Sequence, residues 1–143
     1  MRILILNGPN INLTGTRQPD VYGKTSLDDI NDSIIESAES LGIDVDFFQT
    51  NHEGTIVDKL QEADFVYDGV ILNAGAFSHY SVAILDAVYA VHIPVIEVHM
   101  SNIYAREEFR RTSVISPACR GTITGFGAFS YHLALAAMTE ELK

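Results

Sequence analysis

Cysteine is nearly absent from this chain of 143 residues. The lone Cys119 excludes an internal disulfide and leaves a cysteine-ligated zinc site without partners. Lysine is scarce too. Lys24, Lys59 and Lys143 sit at no expected strand end, which argues against Schiff-base chemistry. Positive charge is short overall, with 9 Lys and Arg against 19 Asp and Glu and a net charge of −10. Nucleic acid and anionic membranes select for basic surface, so neither is an expected partner. No apolar run reaches the roughly 18–20 residues of a membrane span. A glycine-rich cradle for nucleotide phosphates, G-x-G-x-x-G or Walker, is missing. Ser78-His79 lacks the flanking glycines of a nucleophile elbow. Among His52, His79, His92, His99 and His132 no two are four apart on a helix, so no metal site is expected. Repeats, linkers and low-complexity segments are also missing.

What is present suits one domain over residues 1–143, with enough apolar content, 47%, to fill a core. The chain enters a strand directly at Met1-Arg2-Ile3, so no signal peptide is expected and the cytoplasm is the expected location. Arg2 to Leu6 is an apolar run stopped by Asn7-Gly8-Pro9-Asn10, the pattern of a buried strand meeting a sharp turn. A long polar loop follows, through Arg17 to Tyr22-Gly23. Connections usually run about 4–6 residues, so this one reads as a functional lid.

Ser26-Leu27-Asp28-Asp29 predicts a helix start, with Ser26 as cap and acids at the positive end of the dipole. Leu27, Ile30, Ile34 and Leu41 form its apolar face, and Gly42 ends it. Ile43–Gln49 reads as a half-wet edge strand, because acids alternate with Val45 and Phe47. A turn over 50–54 leads to a helix over 56–63 with Ile56, Leu60 and Ala63 inward. Strands are then expected at 70–73, 95–99 and 121–125, and helices at 81–91 and 129–142. A second polar loop spans 100–113, with one helical turn near 105–109.

Strand and helix alternate throughout, which requires crossovers between parallel strands. The expected fold is α/β: a flavodoxin-like, doubly wound, five-stranded parallel sheet of order 2-1-3-4-5. Ligands bind such sheets beyond the carboxyl ends of the strands, here between strands one and three. Those ends carry Asn7 and Asn10, then Asn73, Ser78 and His79, then His99, Ser101 and Asn102, with Arg106 and Arg110 close behind. Asn7 and Asn102 read as turn and cap residues. His79 and His99 together read as functional. Acids crowd 20–68, while Arg106, Arg110, Arg111 and Arg120 fall in the second half, where two solvated faces compete with a basic pocket for a small anion.

Tyr22 is a second kind of candidate. A free tyrosine has a pKa near 10, so service as a base requires a fall of about 3, roughly 4 kcal/mol. Neighbouring guanidinium groups in a poorly hydrated site can supply that. Arg17 shares the loop with Tyr22, and Arg106 could reach in from another. An exposed loop tyrosine packed against the lid is the alternative.

Several blocks together resemble the type II 3-dehydroquinate dehydratases. They are Asn7-Gly8-Pro9-Asn10, Gly15-x-Arg17-x-Pro19-x-x-Tyr22-Gly23, Asn51-His52-Glu53-Gly54, Leu72 to His79, Ile96 to Asn102 and Arg106 to Arg110. They occur in the right order along the whole chain. The resemblance implies dehydration of 3-dehydroquinate to 3-dehydroshikimate through an enolate, with no cofactor and no metal. It implies that Tyr22 takes the proton from the carbon beside the ketone, with Arg17 holding the tyrosinate and Arg106 assisting. Asn10 would stabilise the enolate, His99 would protonate the departing hydroxyl, and Glu97 would orient His99. Asn73, Met100 and Ser101 would hold the substrate carboxylate, His79 and Arg110 the ring hydroxyls. Asp86 would reach a neighbouring subunit's site in a homo-oligomer, a dodecamer built from trimers. Thr14 stands where Leu is frequent and Gln18 where Glu is frequent, flanking catalytic positions without replacing them. Two other readings stand beside this one: a flavodoxin-like binding module for a small anion or flavin, and a catalytically silent homologue.

Overall fold

The computed structural model describes residues 1–16, 20 and 25–143. Arg17, Gln18 and Tyr22 lie outside the described residues. Five strands form one parallel sheet: β1 (Arg2–Asn7), β2 (Asp44–Gln49), β3 (Gly69–Asn73), β4 (Val95–His99) and β5 (Gly121–Thr124). Their order is β2-β1-β3-β4-β5, the doubly wound order expected. Four α-helices are described: α1 (Leu27–Leu41), α2 (Glu53–Val66), α3 (Val82–Ala90) and α4 (Phe129–Glu141).

Strand side chains alternate faces, so each central strand feeds two cores. Ile3, Ile5, Ile71, Ile96 and Val98 pack under α1 and α4, against Ile30, Ile34, Tyr131 and Leu135. Leu4, Leu6, Val70, Leu72 and Val95 face the other way, toward Ile56, Leu60 and Ala63 of α2 and Ile84 and Val88 of α3. β2 pairs on one side only, with β1, as its mixed pattern requires of an edge.

Ser26 caps α1 by accepting from the Asp29 N–H at 3.1 Å. The helix ends in a Schellman turn at Gly42, whose φ of 70° suits glycine. That turn corrects one expectation. Leu41 is 45% exposed, while Ala38 and Ile43 are buried. The Ile43 N–H bonds back to the Ala38 carbonyl at 2.9 Å, which tucks Ile43 into the core in place of Leu41. A second correction concerns α2, which begins at Glu53 inside the expected turn. Its apolar period starts only at Ile56, so the first helical turn leaves no hydrophobic mark. The loop after β4 forms two 3₁₀ turns, Ile103–Ala105 and Glu108–Arg110, instead of one turn near 105–109. Among the described residues no helix is long and apolar enough to cross a membrane.

Candidate active site

The chain ends of β1 and β3 are drawn together first. The Gly8 N–H donates to the Asn73 carbonyl at 2.8 Å. A side chain at Gly8 would meet the Ala74 carbonyl oxygen at 2.7 Å, so this close approach requires glycine. Asn7 and Asn73 are buried below the turn. The Tyr131 hydroxyl donates to Asn7 Oδ1 at 2.7 Å and accepts from Asn73 Nδ2 at 2.8 Å. Burial pushes the Tyr131 phenol well above its ordinary pKa. Asn7 was expected as a turn and cap residue; its side chain instead closes a buried hydrogen bond with Tyr131, which sequence reasoning passed over.

Asn10 follows in a left-handed conformation, φ 67°, which asparagine tolerates better than most residues. Its N–H donates to Asn51 Oδ1 at 3.0 Å, and Gln49 Nε2 donates to the same oxygen at 3.1 Å. Asn51, the first residue of the Asn51-His52-Glu53-Gly54 block, thus fastens the Asn10 loop. Thr14 is buried, with its hydroxyl donating to the Ile11 carbonyl at 2.5 Å.

A cleft opens over these ends, at the switch point of the sheet. Among the described residues it is lined by Asn10 and Ile11 after β1, Asn73, Gly75 and His79 at β3, and His99, Met100, Ser101, Ile103, Arg106 and Arg110 at β4. Two guanidinium groups therefore face one small cleft in a strongly acidic chain, which favours an anionic ligand there. Arg106 Nη1 donates to Ser101 Oγ at 3.4 Å, and Arg110 pairs with Glu107 at 2.6 Å. Arg120 is elsewhere. It precedes β5, at the amino end of the sheet, and pairs with Glu141 at 3.0 Å. Asn102 caps the 3₁₀ turn after β4 by accepting from the Tyr104 N–H at 3.1 Å. Asp86 is exposed on α3 and is not among the lining residues.

His79 and His99 stack with ring centroids 6.2 Å apart. The His79 Nδ1–H donates to the Thr112 carbonyl at 2.9 Å. Burial, with the nearby charges of His99 and Arg110, holds its pKa below the ordinary histidine value. His99 is 5% exposed, and its Nε2–H donates to Glu97 Oε2 at 2.5 Å. Nδ1 has no hydrogen-bond partner among the described residues.

Glu97 is fully buried. Register explains the oddity of its position. Phe48, Leu6, Leu72, Glu97 and Thr122 form one row across the sheet, so a carboxylate stands in a row where β2, β1 and β3 carry apolar groups and β5 a threonine. An unpartnered buried carboxylate is very costly. Here burial raises the Glu97 pKa, but bonds from His99, Ser116 and Ser113 outweigh it and hold the group below the ordinary carboxylate value. Ser113 donates to Oε2 at 2.7 Å, while Ser116 and, at 3.3 Å, Thr122 donate to Oε1. These three hydroxyls were missed from the sequence, because only the β4–β5 register and the loop's return path bring them to Glu97. Among the described residues no group of three or more His, Cys, Asp and Glu side chains could hold a metal ion.

Comparison with known proteins bears on this geometry. A family model described as class II dehydroquinase matches residues 1–139. A 3-dehydroquinate dehydratase of Caldicellulosiruptor bescii is 55% identical over 142 residues, covering 99% of this chain and 98% of that one. One from a Nitratiruptor species is 53% identical over 138 residues, covering 96% and 88%. The crystal structure of the type II dehydroquinase from Butyrivibrio crossotus superposes with a TM-score of 0.95 at 46% identity, covering 96% of this chain and 97% of that one. With the fold and the near-full-length similarity in agreement, this chain belongs to the class II dehydroquinase family, the type II 3-dehydroquinate dehydratases, and is a lyase.

Proposed function

We propose that the chain, one catalytic domain, dehydrates 3-dehydroquinate to 3-dehydroshikimate through an enolate, with Tyr22 as tyrosinate base and His99 as acid. The overall activity, a step of the shikimate pathway, comes with the family. The observation that carries the finer reading is the buried Glu97–His99 pair opening on a cleft that also holds Arg106 and Arg110. In the first step the proton on the carbon beside the ketone passes to the Tyr22 oxygen, and the electron pair moves onto the ketone oxygen. Arg17 keeps Tyr22 ionised, with Arg106 assisting, and Asn10 stabilises the enolate oxygen, partly through an ordered water. In the second step the enolate collapses, the carbon–oxygen bond breaks, and the hydroxyl leaves as water with a proton from His99.

Binding follows from the same cleft. Asn73 and the Met100–Ser101 segment hold the substrate carboxylate, and His79 and Arg110 the ring hydroxyls. The position of Asp86, exposed on α3 and outside its own cleft, supports its reaching a neighbouring subunit in a dodecamer built from trimers. The reaction uses neither metal nor cofactor, and the expected location is the cytoplasm.

The test is an ultraviolet assay, since the product is a conjugated enone. With 3-dehydroquinate, a signal that survives both chelator and borohydride is expected. A flat signal from folded protein, or one lost to either reagent, would sink the mechanism. Tyr22→Phe should remove nearly all turnover while substrate still binds, because the phenol oxygen acts mainly in the transition state. Near-normal kcat in that variant would end the base assignment.

A further inference from the structure

We propose that Ser113, Ser116 and Thr122 are positioning residues of the reaction: their hydroxyls hold Glu97 in one orientation, and through it aim His99. The proposal rests on the reading of His99 as the acid. Two donors reach each carboxylate oxygen, His99 and Ser113 on Oε2, Ser116 and Thr122 on Oε1. A carboxylate offers about four lone-pair sites, and all are taken. The hydroxyls also support one another. The Ser116 N–H donates to Ser113 Oγ at 3.3 Å, and Thr122 Oγ1 lies 3.3 Å from Ser116 Oγ.

The choice of donors matters as much as their number. Among the described residues the ion-pair partner of Glu97 is His99. A guanidinium in place of the hydroxyls would neutralise the carboxylate and leave it little pull on the imidazole. Neutral donors satisfy the buried oxygens and leave a full negative charge facing His99. That charge holds the ring through its Nε2–H and fixes the direction in which the imidazole faces the cleft. With Nε2–H pinned to Glu97, the transferable proton sits on Nδ1. Among the described residues, His79, from the turn after β3, and Cys119, before β5, also feel the Glu97 charge. Burial and the Glu97 charge push the Cys119 thiol up to about 12, so it stays neutral across the working range.

The experiment compares Ser113→Ala, Ser116→Ala and Thr122→Val with the conservative Ser116→Thr and Thr122→Ser. It measures kcat, KM, the pH profile of kcat, and the ring-nitrogen NMR signals of His99. A fall in kcat of about 10-fold is expected for each serine variant, with KM little changed, within the roughly 10²–10⁴-fold that a positioned acid supplies. Each lost donor destabilises the Glu97 carboxylate, so the acid limb of the profile should move to higher pH. The conservative variants should restore both readouts. Thr122→Val is nearly isosteric and keeps the strand, so it carries the test if a serine variant fails to fold. Unchanged His99 signals and an unmoved acid limb in the folded variants would overturn the proposal, as would a loss confined to KM. His99→Ala separates the two layers. Near-normal kcat in it would remove the acid reading itself, whereas a large loss there beside inert hydroxyl variants would remove the positioning proposal alone.

Discussion

Toward the amino ends of the strands, Asp46 accepts from Arg2 and from the Tyr67 hydroxyl, each at 2.7 Å; toward the carboxyl ends, Glu97 accepts from His99, Ser113, Ser116 and Thr122. Both carboxylates are held below their ordinary pKa, Asp46 by Tyr67 and Arg2, Glu97 by its donors against the cost of burial. Their settings differ. The Asp46 side chain is 45% exposed, and a guanidinium cancels its charge in contact with water. Glu97 is out of water and meets hydroxyls plus one imidazole. An exposed, paired carboxylate fastens an edge and does little else. A buried one with neutral donors keeps its field for a single neighbour. The contrast locates chemistry at one end of a sheet whose other end is also rich in polar groups.

The largest expected effect is at Glu97. Glu97→Ala leaves three hydroxyls and an imidazole without their acceptor, so a loss of about 3 kcal/mol in urea unfolding is expected, with turnover falling alongside. The pH dependence follows from the sign of the shift. A carboxylate whose folded pKa is lowered stabilises the fold above its ordinary value, about 4.5, and loses that contribution as pH falls through the lowered value. Glu97→Gln should therefore flatten that part of the acid unfolding curve. An unchanged curve would mean that the hydroxyls do not favour the ionised form.

Tyr131→Phe should come next. It leaves the Asn7 and Asn73 amides without a shared hydroxyl, costing about 1–3 kcal/mol by the same unfolding measurement. Because Asn73 also lines the cleft, a rise in KM should accompany the loss; KM at the wild-type value would assign Tyr131 to stability alone. Asp46→Asn should have the smallest effect, with kcat and its pH profile unchanged. A moved acid limb in that variant would break the contrast between the two ends.

Local patterns carried much of this. The Ser26 cap, the inward rows of α1 and α2 and the alternation in Val95–His99 are visible because one residue's neighbours along the chain set them. The alternation alone puts Glu97 and His99 on one face of a strand. Leu41 misled because a helix-ending turn, not helical spacing, decides which residue near Gly42 goes inward. Its place at a strand end picked out His99 and the family resemblance added Glu97, but no motif marked Ser113, Ser116, Thr122 or Tyr131.

By itself the sequence determined the order of elements, the two apolar faces of the sheet, the switch point as the place for a site and the residue types gathered there. Each follows from periodicity, turn chemistry and the crossover rule, which act over a few residues or on element order. Only the tertiary structure decided how Glu97 is satisfied, because its partners come from a returning loop and from the register of β4 with β5. It also decided that Tyr131, 124 residues from Asn7, closes the buried amide pair below the cleft. Hydrogen bonds between such distant residues leave no local period. They form only once burial makes an unmet polar group too costly to leave alone.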